Sequence, residues 1–257
     1  MNTKRFENKV AIVTGASRGI GQGIALAFAR EGAHVVSVDI GDQTETGNKA
    51  RALGAKFNCY TEDFGKLNQK AAADLIAKII ADTGRVDILV NNAAMLADVG
   101  WQPFDQWTVE EWDQMLDVNL RGMWFCARAF VPLMKARAHG KIVNVTSSTF
   151  WEGVGGFIHY TSSKAGVIGF TRALGRELGE CGIRVNALAP GYTMTDAQVA
   201  HAAAHPEHPV AMRARRALAG RDEAAEDLAG PAFFLASEDS DFMTCQTILV
   251  DGGGSMW

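Results

Sequence analysis

Tyr160 and Lys164 stand four residues apart in a segment with helical spacing of apolar residues, so both side chains leave one helix face. Free tyrosine, with a pKa of about 10, is almost wholly protonated at neutral pH. A neighbouring ammonium and the positive end of a helix both favour the phenolate, which turns the phenol into a base. Ser147 precedes Tyr160 by 13 residues and follows a β-branched run. Its hydroxyl can hold the oxygen of a reacting alcohol and the alkoxide that develops on it. Singly, a Tyr-x-x-x-Lys pair is an ordinary surface pair and Ser147 an ordinary helix cap. Together they suit alcohol oxidation, in which a base takes the hydroxyl proton as hydride leaves carbon.

Hydride needs an acceptor. The run Val10–Val13 leads straight into Thr14-Gly15-Ala16-Ser17-Arg18-Gly19-Ile20-Gly21, and a helical pattern follows at once. Glycines at 15, 19 and 21 allow a tight turn, and N–H groups at a helix N-terminus can approach a pyrophosphate. Gly15, Ser17, Arg18, Gly19, Ile20 and Gly21 are the candidates for that contact. The spacing is GxxxGxG with no Gly-Lys-Ser/Thr after it, which argues against a Walker-type loop. Asp39 ends the next apolar run, 20 residues after Gly19, where a dinucleotide site wants an acid for the adenosine ribose. Its carboxylate would repel the extra phosphate of NADP, by roughly 4 kcal/mol per unit charge at ~4 Å and an effective dielectric near 20. Arg18 pulls the other way, since it can pair with that phosphate. Asp39 sits on a rigid strand end while Arg18 can swing into solvent, so the sequence favours NAD over NADP.

The elements that must position these residues are short apolar runs alternating with longer helical patterns. The runs are Val10–Val13, His34–Asp39, a weaker Lys56–Tyr60, Asp87–Asn91, Lys141–Thr146, Arg184–Leu188 and Thr247–Val250. Nearly continuous apolar character is expected of strands covered on both faces. Between them lie helix-period segments such as Ile20–Glu31, Leu67–Asp82, Val109–Ala136 and Ile158–Glu180. The alternation predicts an α/β fold: a doubly wound parallel sheet of seven strands in a single domain over residues 1–257, with its crevice at the carboxyl ends of the strands. Tyr192–Gly220 is rich in Ala, His and Arg, follows a strand end and reads as a lid-like insertion over that crevice.

Composition excludes other classes. Of 257 residues, 47% are apolar and 21% charged, as in a soluble globular protein, and the net charge of −4 with no Lys/Arg cluster makes nucleic acid a poor partner. The four cysteines (Cys59, Cys126, Cys181 and Cys245) are scattered, which fits a reducing compartment without disulfides. The polar start Met1–Lys9 and the short apolar run after it suit neither a signal segment nor a membrane span. A cytoplasmic location is the expectation, with no membrane partner.

Further motifs complete a resemblance. Asn91-Asn92-Ala93-Ala94 closes one strand, Asp117-Val118-Asn119-Leu120 lies within the long helical pattern, and Val250-Asp251-Gly252-Gly253 lies near the C-terminus. With the glycine loop and the Ser147, Tyr160 and Lys164 set, the sequence resembles the short-chain dehydrogenase/reductase family along nearly its whole length. Ala94 replaces the glycine usual in the family's Asn-Asn-Ala-Gly motif. The resemblance implies a Rossmann fold and a tetrad of Asn119, Ser147, Tyr160 and Lys164. In it Tyr160 is the acid/base, and Lys164 lowers its pKa and binds the nicotinamide ribose. Ser147 positions the substrate oxygen, and Asn119 anchors a water that relays protons to Lys164. It further implies dinucleotide contacts from Asp39, Ile40, Asp63, Phe64, Asn91, Ala93, Tyr160 and Lys164, and from Pro190, Gly191, Thr193 and Thr195, together with a homotetramer formed through the two long helices.

For the substrate, an alcohol or ketone, the segment between Ser147 and Tyr160 is the informative one. Phe150, Trp151, Val154 and Phe157 would make the wall apolar and aromatic, with Tyr192 and Met194 at the start of the lid, although such residues equally suit a core. Thr149, Trp151, Phe157 and Tyr192 join Ser147 and Tyr160 as the candidate substrate residues. The wall suits an uncharged secondary alcohol or ketone, and pieces around it resemble bacterial secondary-alcohol dehydrogenases of the 1-phenylethanol type. Reduction of a 3-oxoacyl thioester, oxidation of a sugar or polyol, and a non-catalytic dinucleotide-binding regulator are the alternatives. His201, His205 and His208 read as polar lid residues rather than a zinc set, and no metal is expected. Arg213, Arg215 and Arg216 read as a solvated face, or as groups that reach a substrate acid when the lid closes.

Overall fold

In the computed structural model, which describes residues 4–96, 100–204 and 207–256, the apolar runs form seven strands. They are β1 (Val10–Thr14), β2 (His34–Asp39), β3 (Phe57–Thr61), β4 (Ile88–Asn91), β5 (Gly140–Val145), β6 (Ile183–Pro190) and β7 (Thr247–Val250). All pair in parallel, in the order β3-β2-β1-β4-β5-β6-β7. The order reverses between β1 and β4, the switch point at which such sheets open their ligand crevice. Register decides what meets there: Thr14 lies opposite Val38, Val13 opposite Val90, Asn91 opposite Asn144, and Val145 opposite Leu188. The glycine loop, Asp39, Asn91, Ser147 and Gly191 therefore emerge along one edge of the sheet.

The helices are α1 (Gly19–Arg30), α2 (Thr44–Ala52), α3 (Gln69–Thr83), α4 (Val109–Leu116), α5 (Gly122–Ala136), the short α6 (Thr149–Glu152), α7 (Ile158–Leu178), α8 (Asp196–Ala204), α9 (Glu207–Ala214) and α10 (Ala229–Ala236). Alternation along β1 sends Ala11 and Val13 to one face, where they pack with Ile24 and Phe28 of α1 and Leu235 of α10. It sends Val10 and Ile12 to the other, with Ile79 of α3, Phe130 and Met134 of α5 and Leu178 of α7. Local signals set the helix ends. The Asn68 side chain accepts from the N–H groups of Lys70 and Ala71 at the start of α3, Gly84 closes it in the left-handed conformation, and Thr108 with Glu111 forms a capping box on α4.

Three elements differ from the sequence expectation. The helix expected over Val109–Ala136 is interrupted by a π-helical stretch, Asp117–Arg121, whose wider turn carries the buried Asn119. The polar α2 carries no strong apolar period and is held by tertiary contacts instead: Thr46 Oγ1 donates to Ala16 O at 3.0 Å and accepts from Gln22 Nε2 at 2.8 Å. The segment 192–220, expected as an insertion without a strand, contains α8 and α9. Of its arginines, the exposed Arg215 pairs with Glu152 at 3.6 Å and the partly exposed Arg213 with Asp222 at 3.5 Å, whereas Arg216 departs from a solvated face: it is buried and donates to Tyr192 O at 2.6 Å. His205 lies outside the described residues, as does the His208 side chain, so the histidine set expected in the lid cannot be placed.

Candidate active site

The phosphate end is shaped by close approach. Gly15 and Gly19 hold φ of +69° and +59°. A Cβ on Gly15 would lie 2.7 Å from Ala93 Cα, and one on Gly21 would lie 2.0 Å from Gly15 O, so only glycine fits either place. Asn92, not anticipated beyond its motif, clamps the loop. Its Nδ2 donates to Thr14 O and Gly15 O at 3.0 Å, and Thr14 Oγ1 accepts from the N–H groups of Asn92 and Ala93, also at 3.0 Å. Asp39 is buried beside the loop. Its Oδ2 accepts from Ser17 N–H and its Oδ1 from Gly41 N–H, both at 2.8 Å. Ile40 next to it is 67% exposed, and Arg18 is exposed as well.

Asn91 donates to Asn144 Oδ1 at 2.8 Å, while its own Oδ1 is buried with no partner within the protein. Asp63 Oδ1 accepts from Gly65 N–H at 2.9 Å. The Phe64 ring is buried in the core beside Gly122, where a Cβ would come within 3.3 Å of the ring's Cδ1. Past Pro190, Gly191 N–H and Thr193 Oγ1 donate to Glu223 Oε1 at 3.2 and 2.6 Å, and Thr195 lies against Gly19. Glu223 is buried, its second oxygen lacks a hydrogen-bond partner, and burial pushes its pKa up. The cradle of glycines and the orphaned Asn91 oxygen fit a dinucleotide; among the described residues no group of His, Cys, Asp and Glu has the arrangement of a metal site.

At the catalytic end, Tyr160 in the first turn of α7 is 5% exposed, and Ser147, itself buried just past β5, acts on it to favour the phenolate. Lys164, one turn further and 1% exposed, donates from Nζ to Val145 O at 3.0 Å and stands 5.8 Å from the Tyr160 ring centre. Burial dominates both groups: it pushes the Tyr160 phenol up to about 12, against a smaller lowering by Ser147, and pulls Lys164 down to about 8. The lowering of the phenol comes from Ser147, while the Lys164 ammonium donates to a backbone carbonyl. The Asn119 side chain ties α7 to the loop after β4: its Oδ1 accepts from Met95 N–H at 2.7 Å and its Nδ2 donates to Ser163 Oγ at 3.1 Å.

Of the substrate candidates, Phe157 packs edge-on against Tyr160 at 5.5 Å, in a cluster with Met115, Met95, Leu96, Trp107 and Val154. Thr149 Oγ1 and Tyr192 Oη are buried without a hydrogen-bond partner within the protein. Trp151 sits in α6 against the half-exposed Phe150. Ser148 Oγ donates to Glu152 at 2.5 Å, and Glu152 reaches Arg215 of the lid. Sequence reasoning missed Glu223 and Trp101; the latter packs on Phe157 at 4.8 Å. Each owes its place to a contact across the fold that no local spacing marks.

Comparison with known proteins matches this geometry to a class. Residues 15–255 match a family model described as enoyl-(acyl carrier protein) reductase. A 2-dehydro-3-deoxy-D-gluconate 5-dehydrogenase of Dickeya dadantii is 36% identical over 254 residues, covering 98% of both chains. A (2S)-[(R)-hydroxy(phenyl)methyl]succinyl-CoA dehydrogenase subunit of Thauera aromatica is 38% identical, again over 98% of both. Further relatives carry the names 3-oxoacyl-[acyl-carrier-protein] reductase and galactitol 2-dehydrogenase. A solved structure from Beutenbergia cavernae, described as an NAD(P)-dependent gluconate 5-dehydrogenase with NADP at low occupancy, superposes with a TM-score of 0.90 at 35% identity, over 98% of this chain and 99% of that one. The chain belongs to the short-chain dehydrogenase/reductase family and is an oxidoreductase with the family's Rossmann-type fold.

Proposed function

We propose that the protein interconverts a secondary alcohol and its ketone, with NAD preferred over NADP. The observation that carries this reading is the buried Tyr160 at the carboxyl edge of the sheet, its phenolate favoured by the buried Ser147, with Lys164 one helical turn away. Tyr160 takes the alcohol proton at its Oη, or returns it in the reverse direction. Ser147 holds the substrate oxygen, and Asn119 keeps α7 and the Met95 loop in place. The nicotinamide dinucleotide, when bound, supplies the hydride acceptor. Gly15, Ser17, Arg18, Gly19, Ile20 and Gly21 would hold its pyrophosphate and Asp39 its adenosine ribose. The Asn91–Ala93, Gly191–Thr195 and Lys164 groups would hold its nicotinamide half. Asp39 supports the NAD preference, since its charge stands fixed at the end of β2 next to the loop.

For the substrate, the relatives' names weigh toward a sugar acid, a polyol or an acyl thioester, and the two orphaned hydroxyls of Thr149 and Tyr192 suit an oxygen-rich molecule. The apolar cluster around Phe157 supports the second reading, a carbinol bearing an apolar or aromatic group, and the hydroxy(phenyl)methyl group in one relative's name agrees with it. NADH formation at 340 nm across 1-phenylethanol, 2-butanol, galactitol and gluconate, with Tyr160→Phe as control, tests both. Turnover lost in the variant supports the chemistry, and the alcohol turned over selects the reading. A variant as active as the parent would remove Tyr160 from its role. A homotetramer in the cytoplasm is part of the same proposal. Half-exposed Trp124 with Leu120 and Phe170 gives the long helices an apolar face for it, and light scattering reads the assembly directly.

A further inference from the structure

The chain that leaves β6 is fastened by one buried acid. Gly191 N–H and Thr193 Oγ1 donate to Glu223 Oε1 at 3.2 and 2.6 Å, and Met194 N–H donates to the Glu223 carbonyl oxygen at 2.7 Å. Thr193 and Glu223 pair there as an isolated parallel bridge. Glu223 is 6% exposed and Thr193 5%, so water competes little for these bonds. Gly191 leaves no slack: a Cβ there would lie 2.7 Å from Asp251 Cβ and 2.8 Å from Glu223 Oε2. At the far end of the segment, Thr195 lies against Gly19 of the glycine loop.

Burying a carboxylate is costly, and the fold offsets that cost only in part. Arg216, itself buried, brings Nη2 to 3.8 Å from Glu223 Oε2 and donates to Tyr192 O at 2.6 Å, so the lid's arginine holds the same segment. Glu223 Oε2 still has no hydrogen-bond partner, and the buried Asp251 carboxylate repels it. A half-satisfied acid beside a second acid gives little to stability, and such groups collect where a site must be held in one shape.

We propose that Glu223 is a positioning residue for the nicotinamide half of the dinucleotide, acting through Gly191, Thr193 and Met194. This rests on the reading of Gly191–Thr195 as part of the dinucleotide site. Glu223 fixes the backbone that would receive the nicotinamide, and a segment fixed beforehand spares the binding step the entropy of ordering it.

The test is calorimetric titration of NADH and of ADP-ribose, which lacks the nicotinamide, into the parent, Glu223→Ala, Glu223→Gln, Thr193→Val and the double variant Glu223→Ala/Thr193→Val. Glu223→Ala is expected to weaken NADH roughly tenfold, what one buried hydrogen bond is worth, and to leave ADP-ribose nearly unchanged. Glu223→Gln, whose amide oxygen can still accept from Gly191 and Thr193, keeps most of the affinity. Thr193→Val gives the same loss confined to NADH, and carries the test where a thermal melt shows Glu223→Ala unfolded. The double variant loses no more than Glu223→Ala alone, since the alanine has already removed the partner of Thr193. Equal losses on NADH and ADP-ribose, or an NADH affinity unchanged in Glu223→Ala or in Thr193→Val, overturn the positioning role and leave the dinucleotide site standing. A parent protein that binds neither NADH nor ADP-ribose overturns both.

Discussion

Removing the charge of Asp39 is expected to collapse the preference for NAD. The carboxylate is 7% exposed, and the N–H groups of Ser17 and Gly41, each at 2.8 Å, fix it at the end of β2. Each of its oxygens keeps a free lone pair for a ribose hydroxyl. A 2′-phosphate at ~4 Å from it would feel roughly 4 kcal/mol of repulsion per unit charge at an effective dielectric of 20, close to a thousandfold in affinity. The site opens to solvent, so salt screening trims this to about a hundredfold in practice. Asp39→Asn keeps an oxygen for one of the two N–H groups, sets its own NH2 toward the other, and removes the charge. It should raise kcat/KM with NADP about a hundredfold and lower it with NAD several-fold, because a neutral amide accepts weaker hydrogen bonds. Asp39→Ala leaves two loop N–H groups unpaired and should weaken both dinucleotides. Fluorescence titration with NADH and NADPH, alongside kcat/KM for each, measures the split. A parent enzyme that binds NADPH as tightly as NADH, or an asparagine variant with an unchanged ratio, would refute the reasoning and hand cofactor choice to Arg18.

Other consequences follow from single groups. Alcohol oxidation needs Tyr160 without its proton, and burial has pushed that group up to about 12. Oxidation should therefore climb with pH between about 6 and 10, while ketone reduction, which needs the proton on, stays nearly flat. Gly21→Ala places a Cβ 2.0 Å from Gly15 O and 2.4 Å from Asn92 Nδ2. NADH affinity should fall at least about a hundredfold with a lower Tm, and native affinity in a titration would mean that the loop yields. Lys141 is 2% exposed and its ammonium donates to Asp241 at 2.6 Å and to Ser240 at 3.2 Å. Asp241→Asn should destabilise by about 1–2 kcal/mol, below the usual cost of breaking a buried pair because Asp241 itself is exposed. Lys141 holds the Asp241 carboxyl below its ordinary range. This contribution is thus present at neutral pH and lost as pH falls through the folded-state pKa, so urea melts of parent and variant should converge in acid.

What could be read from the sequence and what could not divide along the sheet. Strands covered on both faces must be apolar almost without interruption, so β1, β2, β4, β5 and β6 are visible as runs, and the residues at their carboxyl ends inherit a fixed spacing. Thr14–Gly21, Asp39, Asn91, Ser147 and the Tyr160–Lys164 pair are legible for that reason, since strand length and one helical turn determine where they stand. The π-helical stretch at Asn119 is not, because the pull on Asn119 comes from Met95 and Ser163, distant in sequence. Glu223 reads as one acid among several until the fold sets it beneath Thr193. The polar α2 becomes a helix only because Thr46 meets the glycine loop. The substrate wall is the extreme case. Trp101, Phe157, Thr149 and Tyr192 come from connections after three different strands, and the contact of Trp101 with Phe157 depends on details such as the missing side chain of Gly156. Chemistry that sits where strands end is written in spacing, whereas selectivity assembled from loop packing is not. A family can therefore keep one catalytic arrangement while its members carry the names of dehydrogenases and reductases for gluconates, polyols and acyl thioesters.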